Sequence, residues 1–281
     1  MKKIKRIIPT PPQHWVGDGF PVNSLLFYGE HGNAISPFLL ADLAGPAHFD
    51  PTNTPRGVGQ HPHRGFETVT LVYQGEVAHK DNAGNGGIIK EGGVQWMTGG
   101  KGIIHEEFHS QDFTQKGGDL EMIQLWVNLP AKDKMTPPAY QGIQNQEIPT
   151  TTLNNGAHLR VIAGSYNGIT GPASTFTHIQ LMDAALPANS TTPLHLTEGH
   201  NSIIIVRRGS ITINNATINT KCAVLLEQDG ESVSITAQDP ADILILSGEP
   251  INEPIEGYGP FVMNTKAEIK AAITDYNAGR F

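Results

Sequence analysis

Cysteine is almost missing from this chain: Cys222 is the only one in 281 residues. A lone thiol excludes an intrachain disulfide framework and a cysteine-ligated metal site, and it points to a cytoplasmic protein. No run approaches the roughly 20 consecutive apolar residues of a membrane span, so no membrane partner is expected. Positive charge is also scarce. The 19 Lys and Arg residues face 27 Asp and Glu, for a net charge of −8, and the basic face of a direct nucleic-acid binder is lacking. The one basic cluster, Lys2, Lys3, Lys5 and Arg6, is interrupted by Ile4 and closed by Ile7-Ile8-Pro9. It has no apolar core of signal-peptide length and reads as the solvated start of a first strand. G-x-S-x-G and P-loop signatures are absent as well, which removes the usual serine and nucleotide chemistries.

Turn residues, by contrast, are abundant. The 31 Gly and 20 Pro exceed their average shares and fit many short strands better than long helices. Thr68 to Tyr73 is β-branched and aromatic-rich, and a Gln74-Gly75-Glu76 turn leads from it into Val77-Ala78-His79. A long turn cluster, Asp81 to Gly87, follows; then come strand signals over Gly93–Met97, Ile103–Phe108 and Leu120–Asn128. Such spacing predicts a sandwich or jelly-roll barrel. The proline-rich stretch Leu129 to Pro138 closes this first domain. The resulting division is a first barrel over 1–136, a linker over 137–150 and a second barrel over 151–281. In the second half Ser202–Asn214 reads as strand, turn, strand, and Ala241–Gly248 as a buried strand. The likeness of Glu67–Gly75 to Ser202–Gly209 suggests a duplicated barrel. Thr265-Lys266-Ala267-Glu268 is a capping box that opens a helix to about Asn277, with Ile269, Ala272 and Ile273 at helical spacing for packing on a barrel.

The chemistry is concentrated in two short segments. In His61-Pro62-His63 the histidines are two apart, so on a strand both imidazoles project to one side. Forty-two residues after His63, His105-Glu106-Glu107 repeats the geometry, with His105 and Glu107 on one face and Glu106 on the other. A lone His-x-His is mostly incidental. Two such pairs on strands of one domain can give four ligands to a single ion: three imidazoles and a carboxylate suit a transition metal and leave coordination positions open. Glu67 shares the parity of His61 and His63 and is a rival ligand. His109 continues the parity of His105 and Glu107, but the strand is expected to have ended there, leaving His109 exposed. His195 and His200, five apart, would point to opposite faces, and no His-x-Glu follows Gly209. His14, His31, His48, His79, His158 and His178 stand singly and read as surface or packed residues. Phe66 and Met97 could line the site or serve as ordinary core.

The stretches HPHRGFETVTLVYQGEVAHKDNAGNGG, GGVQWMTGGKGIIHEE, LWVNLPAKDKMTPPAYQ and GPFVMNTKAEI resemble the pirin family of the bicupin superfamily. That resemblance covers most of the chain and is densest in the first half. It implies an all-β chain of two jelly-roll (cupin) barrels face to face with a short C-terminal helix, and metal in the first barrel only. The family's ligand positions correspond here to His61, His63, His105 and Glu107, which favours Glu107 over Glu67 and makes Glu67 a candidate for holding a ligand histidine. The resemblance further implies one divalent transition metal, iron foremost, with Ni, Cu, Mn, Co or Zn as alternatives. The activity it implies is that of a quercetin 2,3-dioxygenase, with a small aromatic substrate and dioxygen as reactants; the site itself offers Glu107 as the catalytic base, either as a ligand that loosens or across a hydrogen bond. The other class to be weighed is a metal-dependent regulatory protein that binds other proteins, and a third is a cupin enzyme acting on another enolisable compound. A monomer is the simplest state for a two-barrel chain.

Overall fold

The structure is a computed structural model that describes all 281 residues. The chain is dominated by β-structure, organised as two compact units that interleave along the sequence. One unit comprises Pro12–Ser24, Phe38–Asn145 and Asn252–Phe281; the other comprises Met1–Pro11, Leu25–Pro37 and Gln146–Ile251. This differs from the contiguous division expected above at both ends and at the linker. Ile4–Ile8 pairs antiparallel with Ala223–Leu226, as an edge strand of the second barrel. The C-terminal helix, Lys266–Asn277, instead buries Ile269 and Ala272 against Phe261 and Met263 in the first. Ala139–Ile143, placed in the linker from its prolines, is an edge strand of the first barrel and pairs with Val94–Thr98. No helix is long and apolar enough to cross a membrane.

The two units repeat one plan, each with a seven-stranded antiparallel sheet and a four-stranded one. In the first barrel the third strand of the large sheet is Phe66–Gln74; in the second it is Asn201–Arg208. These are the two segments whose likeness suggested a duplication. Each ends at a glycine in the left-handed region, Gly75 at φ 80° and Gly209 at φ 72°. A Cβ at Gly209 would lie 2.4 Å from the Pro240 carbonyl oxygen, so this turn needs glycine for both its torsion and its space.

The two interiors differ in kind. In the second barrel the strands Ser190–His195 and Ser232–Ala237 send Leu194, Val233, Ile235 and Ala237 into a continuous aliphatic core. In the first, one buried apolar cluster includes Phe49, Phe113, Val72 and Met122. Elsewhere that barrel's interior is polar, with the histidines on strands that alternate buried positions with half-buried or exposed ones.

The helix start follows its sequence signal. Thr265 Oγ1 accepts from Glu268 N at 3.2 Å, and Glu268 Oε2 accepts from Asn264 N at 3.2 Å, which satisfies donors a helix N-terminus otherwise leaves free. Two buried lysines were not foreseen. Lys2, read as solvated, is fully buried, and its Nζ donates to the carbonyls of Gln228, Glu227 and His200. Lys134 donates to Gly65 O, Asn128 Oδ1 and Val262 O within 2.9 Å. In each case three oxygens match the three donors of an ammonium, the condition under which a buried lysine is tolerated.

Candidate metal centre

The four-stranded sheet of the first barrel carries the site. Its order is Gly57–His63, Ile103–His109, Val77–Asp81, Gly86–Ile89. Ile103–His109 lies between two partners, and strict alternation buries Ile103, His105, Glu107 and His109 while Ile104, Glu106 and Phe108 are only half-buried. His105 stands directly across from His61 on one side and from Asp81 on the other; Glu107 stands across from His79. The strand therefore does not end before His109. That residue is buried, its Nε2 lies 3.0 Å from the Gly19 carbonyl, and its ring packs edge-on to Phe49 at 4.5 Å. An expected surface histidine instead packs against the apolar cluster.

A bulge separates the two histidine strands' registers: three steps from Val58 to His61 face two from Glu107 to His105. The extra residue turns the Gly59 carbonyl toward His61 Nδ1, 2.8 Å away. A carbonyl only accepts, so Nδ1 carries the proton and Nε2 keeps the lone pair. The rings of His61, His63 and His105 converge, with centroids 4.3 Å, 4.9 Å and 5.0 Å apart. The donor atoms of these three lie within 4.8 Å of one another. Glu107 does not join that trio directly. It groups with His105 and His79, again within 4.8 Å, so His105 is common to both sets.

The large sheet supplies the opposite wall. Thr70, Gln95 and Gln124 are direct cross-strand partners and so share a face. Gln95 Nε2 donates to Glu107 Oε1 at 3.1 Å. Thr70 Oγ1 lies 3.1 Å from Glu107 Oε1 and 2.8 Å from Gln124 Oε1, two acceptors for one hydroxyl proton. Phe66 and Trp126 flank His63 at 5.0 Å and 5.6 Å. Tyr140 stacks on His79 at 4.9 Å with 19° between the rings. Burial, together with the negative charge of Asp81 and Glu107, pushes its phenol up to about 12.

These residues fit a divalent transition metal. Burial, reinforced by the neighbouring histidines, holds His63 down at about 3 and His105 well below the usual imidazole range. Both are thus uncharged lone-pair donors at neutral pH, as metal ligation requires. His105 Nε2 is buried without a hydrogen-bond partner. A buried polar atom left bare beside two more imidazoles is the arrangement a cation completes.

Glu67 does not hold a ligand histidine. It alternates to the other face of its strand from Phe66 and Thr70, and its Oε1 accepts from Thr98 Oγ1 at 2.8 Å. Burial pushes its carboxyl from 4.5 up to about 7, although the Thr98 bond opposes the shift. Between those pH values the folded chain binds the extra proton, so stability falls as pH rises through the window. In metal-free protein, Glu67→Gln should remove this slope and gain ~3 kcal/mol above pH 7. Urea midpoints measured from pH 4 to 8 check this; parallel profiles for the two proteins would show that Glu67 ionises normally.

Sequence reasoning missed His79, Asp81, Tyr140, Gln95 and Thr70. A usable signal existed for one pair, since His79-Lys80-Asp81 is a third i, i+2 pair of polar groups on a strand. Nothing local marked Tyr140, because its strand directly follows a proline-rich stretch.

A jelly-roll barrel lined by such a cluster, duplicated as a second barrel with an aliphatic interior, defines a bicupin. The comparisons with known proteins agree. The Pirin family profile matches residues 19–127, and that of the Pirin C-terminal cupin domain matches residues 181–281. The chain belongs to the pirin family. A protein of Pseudomonas aeruginosa provisionally named quercetin 2,3-dioxygenase is 51% identical, over 100% of this chain and 99% of that protein. The crystal structure of a quercetin 2,3-dioxygenase from Acinetobacter baumannii matches with TM-score 0.98 at 50% identity, covering 100% of this chain and 98% of that one. A bacterial pirin of Escherichia coli in complex with nickel(II) shares the fold, with TM-score 0.65 at 21% identity over 87% of this chain and 98% of the other.

Proposed function

We propose that this chain is a metal-dependent dioxygenase that opens the ring of a flavonol such as quercetin, and that His61, His63, His105 and Glu107 hold its metal. The observation that carries this reading is the converging trio of imidazoles, two of them buried and kept uncharged, with a carboxylate grouped on the shared His105. Half-identity to a solved quercetin 2,3-dioxygenase over the whole chain supports this substrate class. Iron is the first choice of ion, and nickel has a precedent in the Escherichia coli pirin complex.

Held by these residues, a divalent ion would lower the pKa of a hydroxyl bound to it. Glu107 then takes the proton of the flavonol's 3-hydroxyl. Gln95 and Thr70 hold its Oε1, which fixes the carboxylate's orientation before the substrate arrives. Trp126, half-buried beside His63, offers an aromatic surface for the flavonol rings. The reaction balances without an external reductant: both atoms of dioxygen enter the products, and one ring carbon leaves as carbon monoxide.

Aerobic turnover of quercetin by protein reconstituted separately with each divalent metal tests the proposal, with carbon monoxide as the product detected. Its formation at a catalytic rate identifies a dioxygenase and its working metal. No carbon monoxide from any folded, metal-loaded form would move the reading to another enolisable substrate, or to metal-dependent binding of a protein partner.

A further inference from the structure

Deepening the metal-site reading above, we infer that His79 is not a ligand but a positioning residue: held by Asp81, it sets the tautomer of His105 so that Nε2 presents its lone pair to His61 and His63.

The argument is one of donors and acceptors. His79 Nδ1 and His105 Nδ1 lie 3.2 Å apart, so one bears a proton and the other accepts it. The other nitrogen of His79, Nε2, lies 3.3 Å from Asp81 Oδ2, and both side chains are completely buried. A carboxylate only accepts, so His79 Nε2 carries hydrogen. An imidazole with a single proton on Nε2 has its lone pair on Nδ1, which therefore accepts from His105 Nδ1–H. That leaves His105 Nε2 bare, and it is this atom that is buried without a partner. Both nitrogens of His79 are thus engaged. It could enter a coordination sphere only by breaking one of these bonds, although its donor atom lies within 4.8 Å of those of His105 and Glu107.

Asp81 is itself immobilised. Its Oδ1 accepts from the backbone N–H groups of Ala83 and Asn85, each at 2.9 Å. The turn cluster after the strand therefore aims the carboxylate, while Tyr140 stacks on the His79 ring. His105 receives from a side chain what His61 receives from the Gly59 carbonyl at the bulge. Outer groups of this kind fix ligand tautomer and orientation, and their loss weakens metal binding about 10- to 100-fold.

The test is a series of full-length variants titrated calorimetrically with Co(II). His79→Phe keeps a ring against Tyr140 but removes the acceptor, and should weaken Co(II) binding about 10- to 100-fold. His79→Asn places an amide oxygen near the former Nδ1 position and should restore most of the affinity. In Asp81→Asn the two backbone donors require the amide oxygen at the Oδ1 position, which turns the NH2 toward His79. The tautomers of His79 and His105 should then reverse, with the same loss. A merely structural role would weaken His79→Asn as much as His79→Phe. Nitrogen-15 NMR of the metal-free protein reads the tautomer itself. A proton on His105 Nδ1 supports the relay, and one on Nε2 overturns it, whether or not the protein takes up Co(II). Co(II) affinity unchanged in both His79→Phe and Asp81→Asn would also overturn it, whereas a parent protein that binds no Co(II) would count against the metal site itself.

Discussion

His105→Ala should lower divalent-metal affinity about 100- to 1000-fold, the largest loss of affinity we expect from any single substitution. The proposed four-ligand site, with a binding free energy of the order of 10–16 kcal/mol, loses roughly a quarter of it with one ligand, or about two to three powers of ten in affinity. His105 is the choice because it alone is shared by the His61/His63 set and the Glu107/His79 set. Its burial, at 1% exposure, means that alanine also leaves a cavity. His61→Ala is the companion variant: His61 is only half-buried, so its loss should spare the fold while still removing a proposed ligand. Calorimetric titration with Co(II), alongside thermal melts of the metal-free proteins, separates the two effects. Parent-like affinity in a folded His61→Ala protein would remove that residue from the ligand set.

The second large effect is on turnover. Glu107→Gln should lower the rate of carbon monoxide release from quercetin about 10²- to 10⁴-fold per bound metal ion. An amide oxygen can still face an ion, but an amide cannot take the proton of the 3-hydroxyl. The hydrogen bond from Gln95 to Oε1 is available to a glutamine carbonyl as well, so the side chain should keep its place. Metal analysis and single-turnover kinetics on one preparation check this. Turnover within a few-fold of the parent would show that the proton leaves by another route.

Much of the fold was legible from local pattern, because strand parity and turn chemistry act over a few residues. The predicted strand Thr68 to Tyr73 lies within the observed Phe66–Gln74, and the Thr265–Glu268 capping box opens the predicted helix. The convergence of His61, His63 and His105 also followed from parity, once two strands were taken as neighbours. The errors lie where pairing is non-local. Lys2 looked solvated because its three carbonyl partners are some 200 residues away in sequence. Ala139–Ile143 looked like linker because prolines precede it, yet an edge strand needs only one partner and tolerates such flanks. Glu67 looked like a possible ligand because parity was counted through the Arg64-Gly65 turn, which resets it.

The sequence by itself determined an all-β chain, its duplicated plan and the histidines that share a strand face, since each depends on the period-two alternation of side chains. Only the tertiary structure decided that Ile103–His109 runs between the strands of His61 and Asp81. That strand order puts His79 against His105 and brings Gln95 and Thr70 to Glu107. It also interleaved the two units, because edge strands and amphipathic helices bury their free faces wherever a complementary one is open, not where the chain happens to be nearest.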